Sequence, residues 1–318
     1  VTPSDARSVD RSVDRAEAIL RTALGDRVRR GVVLAPLTTF RIGGPAALYV
    51  EPDRDTDLAA VGEAVAQTRL PFLVIGKGSN LLIADGGFAG IVVRLGRGYR
   101  WAEAHGDDLR AGAAMPLPAL SGVALSQGLS GLEFGVAIPG SFGGALRMNA
   151  GAHGKEMKDA VASVEVFRLS TRAEESIPVA GAGFRYRGSD LPADAVIVGG
   201  TLRLEPTERD AIRRLMDEAR GWRRRTQPLA EPNCGSVFKN PPGEHAARLV
   251  EGAGLKGFAI GGAMVSTKHA NFIVATPGAT AADVMALVRH VQDVVEADRG
   301  IRLEAEVHVV GDLDPATR

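Results

Sequence analysis

Apolar residues recur along this chain at two spacings, and each predicts a different element. Leu58, Val61 and Val65 follow an acidic start (Asp53, Asp55, Asp57) at helical spacing, and Pro71 closes the run before Phe72-Leu73-Val74-Ile75. A helix therefore feeds a buried strand. That strand runs into Gly76-Lys77-Gly78-Ser79-Asn80, after which Leu81-Leu82-Ile83 and residues 90–95 predict further strands. Upstream, a charged leader with a tandem Arg-Ser-Val-Asp (residues 7–10 and 11–14) precedes a short helix over 16–24. Residues 32–34 then lead into the turn-rich Thr38-Thr39-Phe40-Arg41-Ile42-Gly43-Gly44-Pro45.

A helix over 117–129 is followed by a glycine-dense stretch, 132–144, that packs poorly by itself and suggests wrapping around something. Residues 161–169 and 195–204 read as strands on either side of Phe184-Arg185-Tyr186-Arg187, and 207–222 as a charged helix near a domain boundary. Beyond it, 246–252, 264–275, 281–298 and 301–310 predict helix, strand, helix, strand, a compact α/β unit. A chain of 318 residues is long for a single core, which favours two or three compact units.

Composition narrows the function classes. Although 45% of the residues are hydrophobic, no apolar run approaches the roughly 18 residues that span a bilayer, so no membrane is expected. Thirty-eight basic and thirty-eight acidic side chains cancel, and only 5% of residues are aromatic, which argues against a nucleic-acid partner. The single cysteine, Cys234, excludes an intramolecular disulfide and a thiolate metal site, and no metal is expected. The leader lacks the apolar stretch of a signal peptide, so a cytoplasmic location is expected.

Two glycine motifs invite a nucleotide. Gly76-Lys77-Gly78-Ser79-Asn80 offers successive unhindered N–H groups, a lysine and a hydroxyl, the chemistry of an anion nest. The same residues also suit a tight turn, and they fail the P-loop spacing, with a strand rather than a helix following. Gly252, Gly254 and Gly257 satisfy G-x-G-x-x-G, but Ala246, Leu249 and Val250 before them have helical spacing. Gly252 or Gly254 therefore terminates a helix rather than opening a Rossmann turn.

Taken together, these segments resemble the MurB family. The resemblance rests on Thr39-Phe40-Arg41-Ile42-Gly43-Gly44 and Gly76-Lys77-Gly78-Ser79-Asn80-Leu81-Leu82. It rests more strongly on Ile138-Pro139-Gly140-Ser141-Phe142-Gly143-Gly144-Ala145 with Met148-Asn149-Ala150-Gly151, and on Gly235-Ser236-Val237-Phe238-Lys239-Asn240-Pro241. It covers residues 36–311 and includes Lys268-His269-Ala270-Asn271-Phe272 and Leu303-Glu304-Ala305-Glu306-Val307. His153, Phe142 and Cys234 depart from the family pattern, which commonly has a tyrosine, a smaller residue and an alanine there.

The resemblance implies an α+β chain: a two-subdomain FAD-binding fold of the vanillyl-alcohol-oxidase (PCMH) type plus a C-terminal α/β substrate-binding domain. The expected divisions are a leader at 1–30, FAD subdomains at 31–98 and 99–212, a substrate domain at 213–311 and a tail at 312–318. It further implies reduction of an enolpyruvyl ether on a UDP-sugar, with non-covalent FAD, NADPH as co-substrate and a monomeric protein. Hydride goes from flavin N5 to the vinyl carbon, and Ser236 gives the proton to the α carbon. Arg187 fixes the substrate carboxylate, and protonated Glu306 hydrogen-bonds to the enolate, so its pKa is expected to be raised. The short connection after Arg187 resembles the family's second type, which lacks an extra substrate-closing loop.

The cofactor residues implied are Arg41, Gly76, Lys77, Gly78, Ser79, Asn80, Gly140, Ser141, Gly143 and Gly144. Those implied for substrate are Tyr186, Arg225, Lys239 and Asn240. Read from the residues alone, Gly235-Ser236 is also an ordinary turn and Arg187 a loop arginine in a surface ion pair. Glu306 reads as an edge-strand carboxylate sharing a face with Glu304, Tyr186 as a core aromatic, and Arg223-Arg224-Arg225 as a solvated helix end. His269 reads as a structural hydrogen-bonding residue. The alternatives are another flavin oxidase of the same superfamily, or a catalytically silent flavin-binding or nucleotide-sugar-binding protein.

Overall fold

The computed structural model describes residues 3–313; the tail expected at 312–318 lies from residue 314 onward outside the described residues. The chain divides into two units. The first comprises residues 1–32, 47–77 and 89–221, and the second residues 33–46, 78–88 and 222–318.

In the first unit the alternation of Ala195–Arg203 organises two cores. Val196 and Val198 point to one side and Ile197 to the other, because successive strand side chains face opposite ways, and a register shift opposite Glu165 and Val166 resets the alternation so that Leu202 joins Ile197. This strand lies at the centre of a five-stranded antiparallel sheet, ordered Ala173–Pro178, Val161–Arg168, Ala195–Arg203, Asp108–Gly112, Ala102–His105. One face packs against Leu117, Leu120 and Ala124 of the helix Leu117–Gln127 and against Phe142 and Leu146 of the short helix Phe142–Arg147. Phe142 departs from the family's smaller residue, and Gly200 accommodates it: a Cβ there would lie 2.9 Å from the Phe142 ring.

The other core joins the helices Pro3–Leu24 and Asp55–Thr68 to strands Val28–Val33, Pro45–Val50, Phe88–Val93 and Phe72–Val74. Leu58 and Val61 are fully buried there, as their spacing predicts. The first helix is longer than the one expected over 16–24, since Val13, Ala16, Leu20 and Leu24 continue its apolar stripe through the charged leader. The glycine-dense stretch forms a short 3-10 helix, Glu133–Ala137, and then the helix Phe142–Arg147.

The second unit is built around the helix Ala281–Arg299, whose Val284, Leu287, Val288, Val291 and Val295 are all buried. Thr280 and Asp283 form a capping box, and Asp85 Oδ1 accepts a further hydrogen bond from Ala281 N at 2.9 Å. Gly300 ends the helix at φ +66°. The helix Ala246–Gly252 stands where the sequence placed it, with Gly254 beyond it at φ +73°, which closes the Rossmann reading.

Two strand expectations are corrected. Residues 264–275 form two strands, Ala263–Val265 and Ile273–Ala275, paired antiparallel around a polar connection. Within that connection Lys268 N donates to Ser266 Oγ, which draws the backbone into a turn. Residues 301–310 yield only the strand His308–Val310, which runs parallel to Leu81–Ile83. The preceding segment pairs in strand fashion at one isolated bridge, Phe238 to Ala305, and is otherwise held by side-chain and main-chain bonds such as Gln292 Nε2 to Leu303 O. Among the described residues no helix is long and apolar enough to cross a membrane, and no group of His, Cys, Asp and Glu could hold a metal ion.

Candidate active site

The strand Phe72–Val74 delivers the chain into Gly76-Lys77-Gly78-Ser79-Asn80. Among the described residues, none of the five main-chain N–H groups of that loop donates to another part of the protein. A run of undirected donors with Gly78 at φ +58° is a fit for an anionic group such as a diphosphate. Gly78 has no space for a side chain, because a Cβ would stand 2.8 Å from Thr38 Cα. Thr39 N donates to Gly78 O at 3.2 Å, which ties the loop to the turn carrying Arg41, itself at φ +58°. Lys77 and Arg41 are exposed. Asn80 also ties the loop to the far end of the chain: its Nδ2 donates to Glu306 O at 3.0 Å, and its carbonyl accepts from His308 N.

The second glycine turn abuts the first, for a Cβ on Gly76 would run into Ser141 Oγ. This turn spends its donors internally. Phe142 N bonds Met115 O, Gly143 N bonds Ala113 O, and Gly144 N bonds Ser141 Oγ at 3.3 Å; the Gly140 carbonyl accepts from Leu117 N. The main-chain N–H groups of Phe142, Gly143 and Gly144 are therefore committed within the protein.

Tyr186 and Arg187 form the tip of a tight turn closed by mutual bonds between Arg185 and Gly188 at 3.0 and 3.1 Å. Arg187 sits in the left-handed region at φ +56°, uncommon for a non-glycine residue. Its guanidinium carbon lies 4.8 Å from the centroid of the Tyr186 ring, and Nη2 donates to Gly151 O at 3.3 Å. Tyr186 is exposed rather than in the core.

In the second unit, Ser236 follows Gly235, which takes φ +83°. Asn233 braces this loop: its Oδ1 accepts from Gly235 N at 2.9 Å, and its Nδ2 donates to Pro228 O and Glu231 O. Asn271 is buried and clamps the next residues, with Oδ1 accepting from Phe238 N and Nδ2 donating to Phe238 O at 2.8 Å. Glu306 N then bonds Val237 O at 2.7 Å, which lays the main chain of Glu306 beside the serine loop. Burial pushes the Cys234 thiol well above its ordinary range, so the cysteine is held neutral.

Glu304 and Glu306 separate clearly. Glu304 is exposed and pairs with Lys239 Nζ at 2.5 Å, while Glu306 is half-buried. Lys239, expected at the substrate, thus has its ammonium held by Glu304. Asn240 Oδ1 accepts from Ala246 N at 3.0 Å and serves the start of the helix Ala246–Gly252. Arg225 is exposed at the end of the helix Arg209–Thr226, where Arg223 bonds Gln227 and burial lowers its pKa. His269 Nδ1 accepts from Asn271 N, and burial lowers its pKa, as suits a neutral structural imidazole.

Sequence reasoning missed Asn149, Glu156, Asn233 and Asn271. The first and the last stand inside quoted motifs, but Asn149 Nδ2 reaches Arg185 O, 36 residues away, and the Asn271 amide binds Phe238, 33 residues away.

Comparison with known proteins follows the same division. A family model described as an FAD binding domain matches residues 46–171, and one described as the C-terminal domain of UDP-N-acetylenolpyruvoylglucosamine reductase matches 227–310. The fold and its glycine loops define an FAD-binding oxidoreductase of the PCMH type with an added C-terminal α/β domain. A UDP-N-acetylenolpyruvoylglucosamine reductase of Anaeromyxobacter sp. (strain Fw109-5) is 45% identical over 94% of this chain and 93% of its own. One from Heliobacterium modesticaldum is 46% identical over 86% and 88%. The crystal structure of the enzyme (MurB) from Thermus caldophilus aligns with a TM-score of 0.79 at 38% identity, covering 90% of this chain and 99% of that one. The chain belongs to the UDP-N-acetylenolpyruvoylglucosamine reductase family.

Proposed function

We propose that this protein reduces UDP-N-acetylenolpyruvoylglucosamine to UDP-N-acetylmuramate, with FAD as cofactor and NADPH as hydride source. The observation that carries this reading is 45% identity sustained over 94% of the chain, with Ser236, Arg187 and Glu306 all present. Bound FAD supplies hydride transfer, from NADPH to the vinyl carbon of the substrate.

The protein's own groups do the rest. The loop N–H groups of residues 76–80 hold the cofactor diphosphate, with Arg41 and Lys77 adding charge. Arg187 binds the substrate carboxylate through its planar fork, and Tyr186 lies against the same guanidinium. The Ser236 hydroxyl gives its proton to the α carbon, so that hydride and proton together saturate the double bond. Glu306, protonated, hydrogen-bonds to the enolate oxygen that precedes this protonation. Lys239, Asn240 and Arg225 stand at the substrate's remaining polar groups, and the Gly140-Ser141-Phe142-Gly143-Gly144 turn at the cofactor.

In the same reading, residues 31–98 and 99–212 are the two FAD subdomains and 213–311 the substrate domain. The enzyme works as a cytoplasmic monomer on small nucleotide ligands. Residues 188–194 alone link Arg187 to the strand Ala195–Arg203, which supports the family's second type.

An anaerobic visible spectrum tests the reading. NADPH is expected to bleach the oxidised flavin band and the enolpyruvyl substrate to restore it. A flavin that is reduced but never restored overturns the substrate assignment. In Ser236→Ala, bleaching is expected to proceed normally and recovery to slow by about 100-fold or more; rapid recovery overturns the role of Ser236.

A further inference from the structure

Arg187 is held by a network that nothing in its motif announces. Asn149 is wholly buried at φ +43°, and its side-chain amide bonds in three directions. Its Nδ2 donates to Arg185 O, at the base of the turn carrying Arg187, at 3.0 Å. The same Nδ2 donates to Glu156 Oε2 at 2.9 Å, and Oδ1 accepts from Lys158 N at 2.9 Å. Glu156 divides its two oxygens: Oε2 also takes Lys158 Nζ at 2.8 Å, and Oε1 faces Arg187 Nη1 at 4.0 Å. A capping box with Asp159 fixes the Glu156 backbone and side chain further.

Gly151 completes the arrangement. It pairs with Glu156 across a two-residue ladder, and its carbonyl accepts from Arg187 Nη2. A Cβ on Gly151 would lie 2.8 Å from Glu156 Cγ and 3.3 Å from Arg187 Nη1, so the guanidinium occupies ground that any other residue would claim. An arginine side chain has several rotatable bonds to order, and its left-handed backbone is disfavoured for any residue with a Cβ. Both costs are met where turn and side chain are anchored to one scaffold.

We propose that Glu156, fixed by Asn149 and Lys158, is the positioning residue that aims the Arg187 guanidinium at the substrate carboxylate. The proposal rests on the carboxylate-binding role of Arg187 given above. Glu156 touches no reacting atom; it acts on the reaction only through Arg187.

The test compares Glu156→Gln, Arg187→Ala and the double variant as FAD-loaded proteins. Both half-reactions are followed, together with the thermal midpoint. Glu156→Gln is expected to leave flavin bleaching by NADPH unchanged and to raise KM for the enolpyruvyl substrate by about 10-fold or more, with a smaller change in kcat. In the Arg187→Ala background the same change is expected to cost nothing further, whereas a purely structural role predicts losses that add.

Arg187→Ala that recovers at the parental rate overturns the role of Arg187 itself. A slow Arg187→Ala beside a Glu156→Gln that behaves as the parent, or losses that add, overturns this proposal alone. Lys158→Met, on the surface, tests the same point without touching the buried groups. Released from Lys158, Glu156 draws on Arg187, and KM is expected to rise about threefold; an unchanged KM in both variants overturns the proposal.

Discussion

Asp57 is almost inaccessible to water, yet it stays ionised. Burial works to raise its pKa, but hydrogen bonds from Arg27 at 2.5 Å and from Asp53 N at 2.9 Å prevail and hold the carboxyl below its ordinary value. A carboxyl depressed in the folded state adds stability above its unfolded value of about 4, and that stability is lost as pH falls through the folded value. Asp57→Asn is therefore expected to cost about 1–3 kcal/mol at neutral pH and to weaken the acid dependence of the urea midpoint. An acid limb as steep as the parent's would refute this account. The same logic explains what single residues disclosed beforehand. The roles proposed for Ser236, Arg187 and Glu306 rest on their motifs, since a Gly-Ser turn, a loop arginine and one carboxylate of two are ordinary features. Asn149 and Asn271 act by binding main chain 36 and 33 residues away, which no local pattern encodes.

At the level of elements, regular apolar spacing was a reliable guide. The helices Asp55–Thr68, Leu117–Gln127 and Ala246–Gly252 and the strands Val161–Arg168 and Ala195–Arg203 fall close to where it put them. It failed where a polar insertion or an isolated contact interrupts the pattern. Residues 266–272 turn back on themselves, and residues 301–307 meet their neighbour by one bridge instead of a ladder. Helix termini were also only half legible. Thr280 and Asp283 form a capping box visible in sequence, but Asp85, 196 residues from Ala281, adds a carboxylate to the same helix end. Asp85→Ala is expected to lower stability by about 1 kcal/mol, read as a fall in thermal midpoint with the flavin spectrum unchanged. A midpoint equal to the parent's would mean that the capping box alone suffices.

At the scale of the whole molecule, the second unit is assembled from three stretches of chain, two of them short and early. Phe40, Ile42 and Leu82 come from those stretches and share one core with Val237, Phe238 and Leu303. A fragment covering residues 222–318 therefore lacks part of its interior and is expected not to unfold cooperatively. A sharp melting transition from that fragment would show that the early stretches are dispensable. The glycine loop at residues 76–80 has the same dependence on distant chain, because Asn80 is tied to Glu306 and His308. During synthesis at roughly 5–20 residues per second, those partners emerge about 10 to 45 seconds after the loop has left the ribosome. For that interval the early apolar side chains have no native cover from the late segments. Completion of the chain, rather than synthesis of the glycine loop, sets the moment at which the loop takes its final shape.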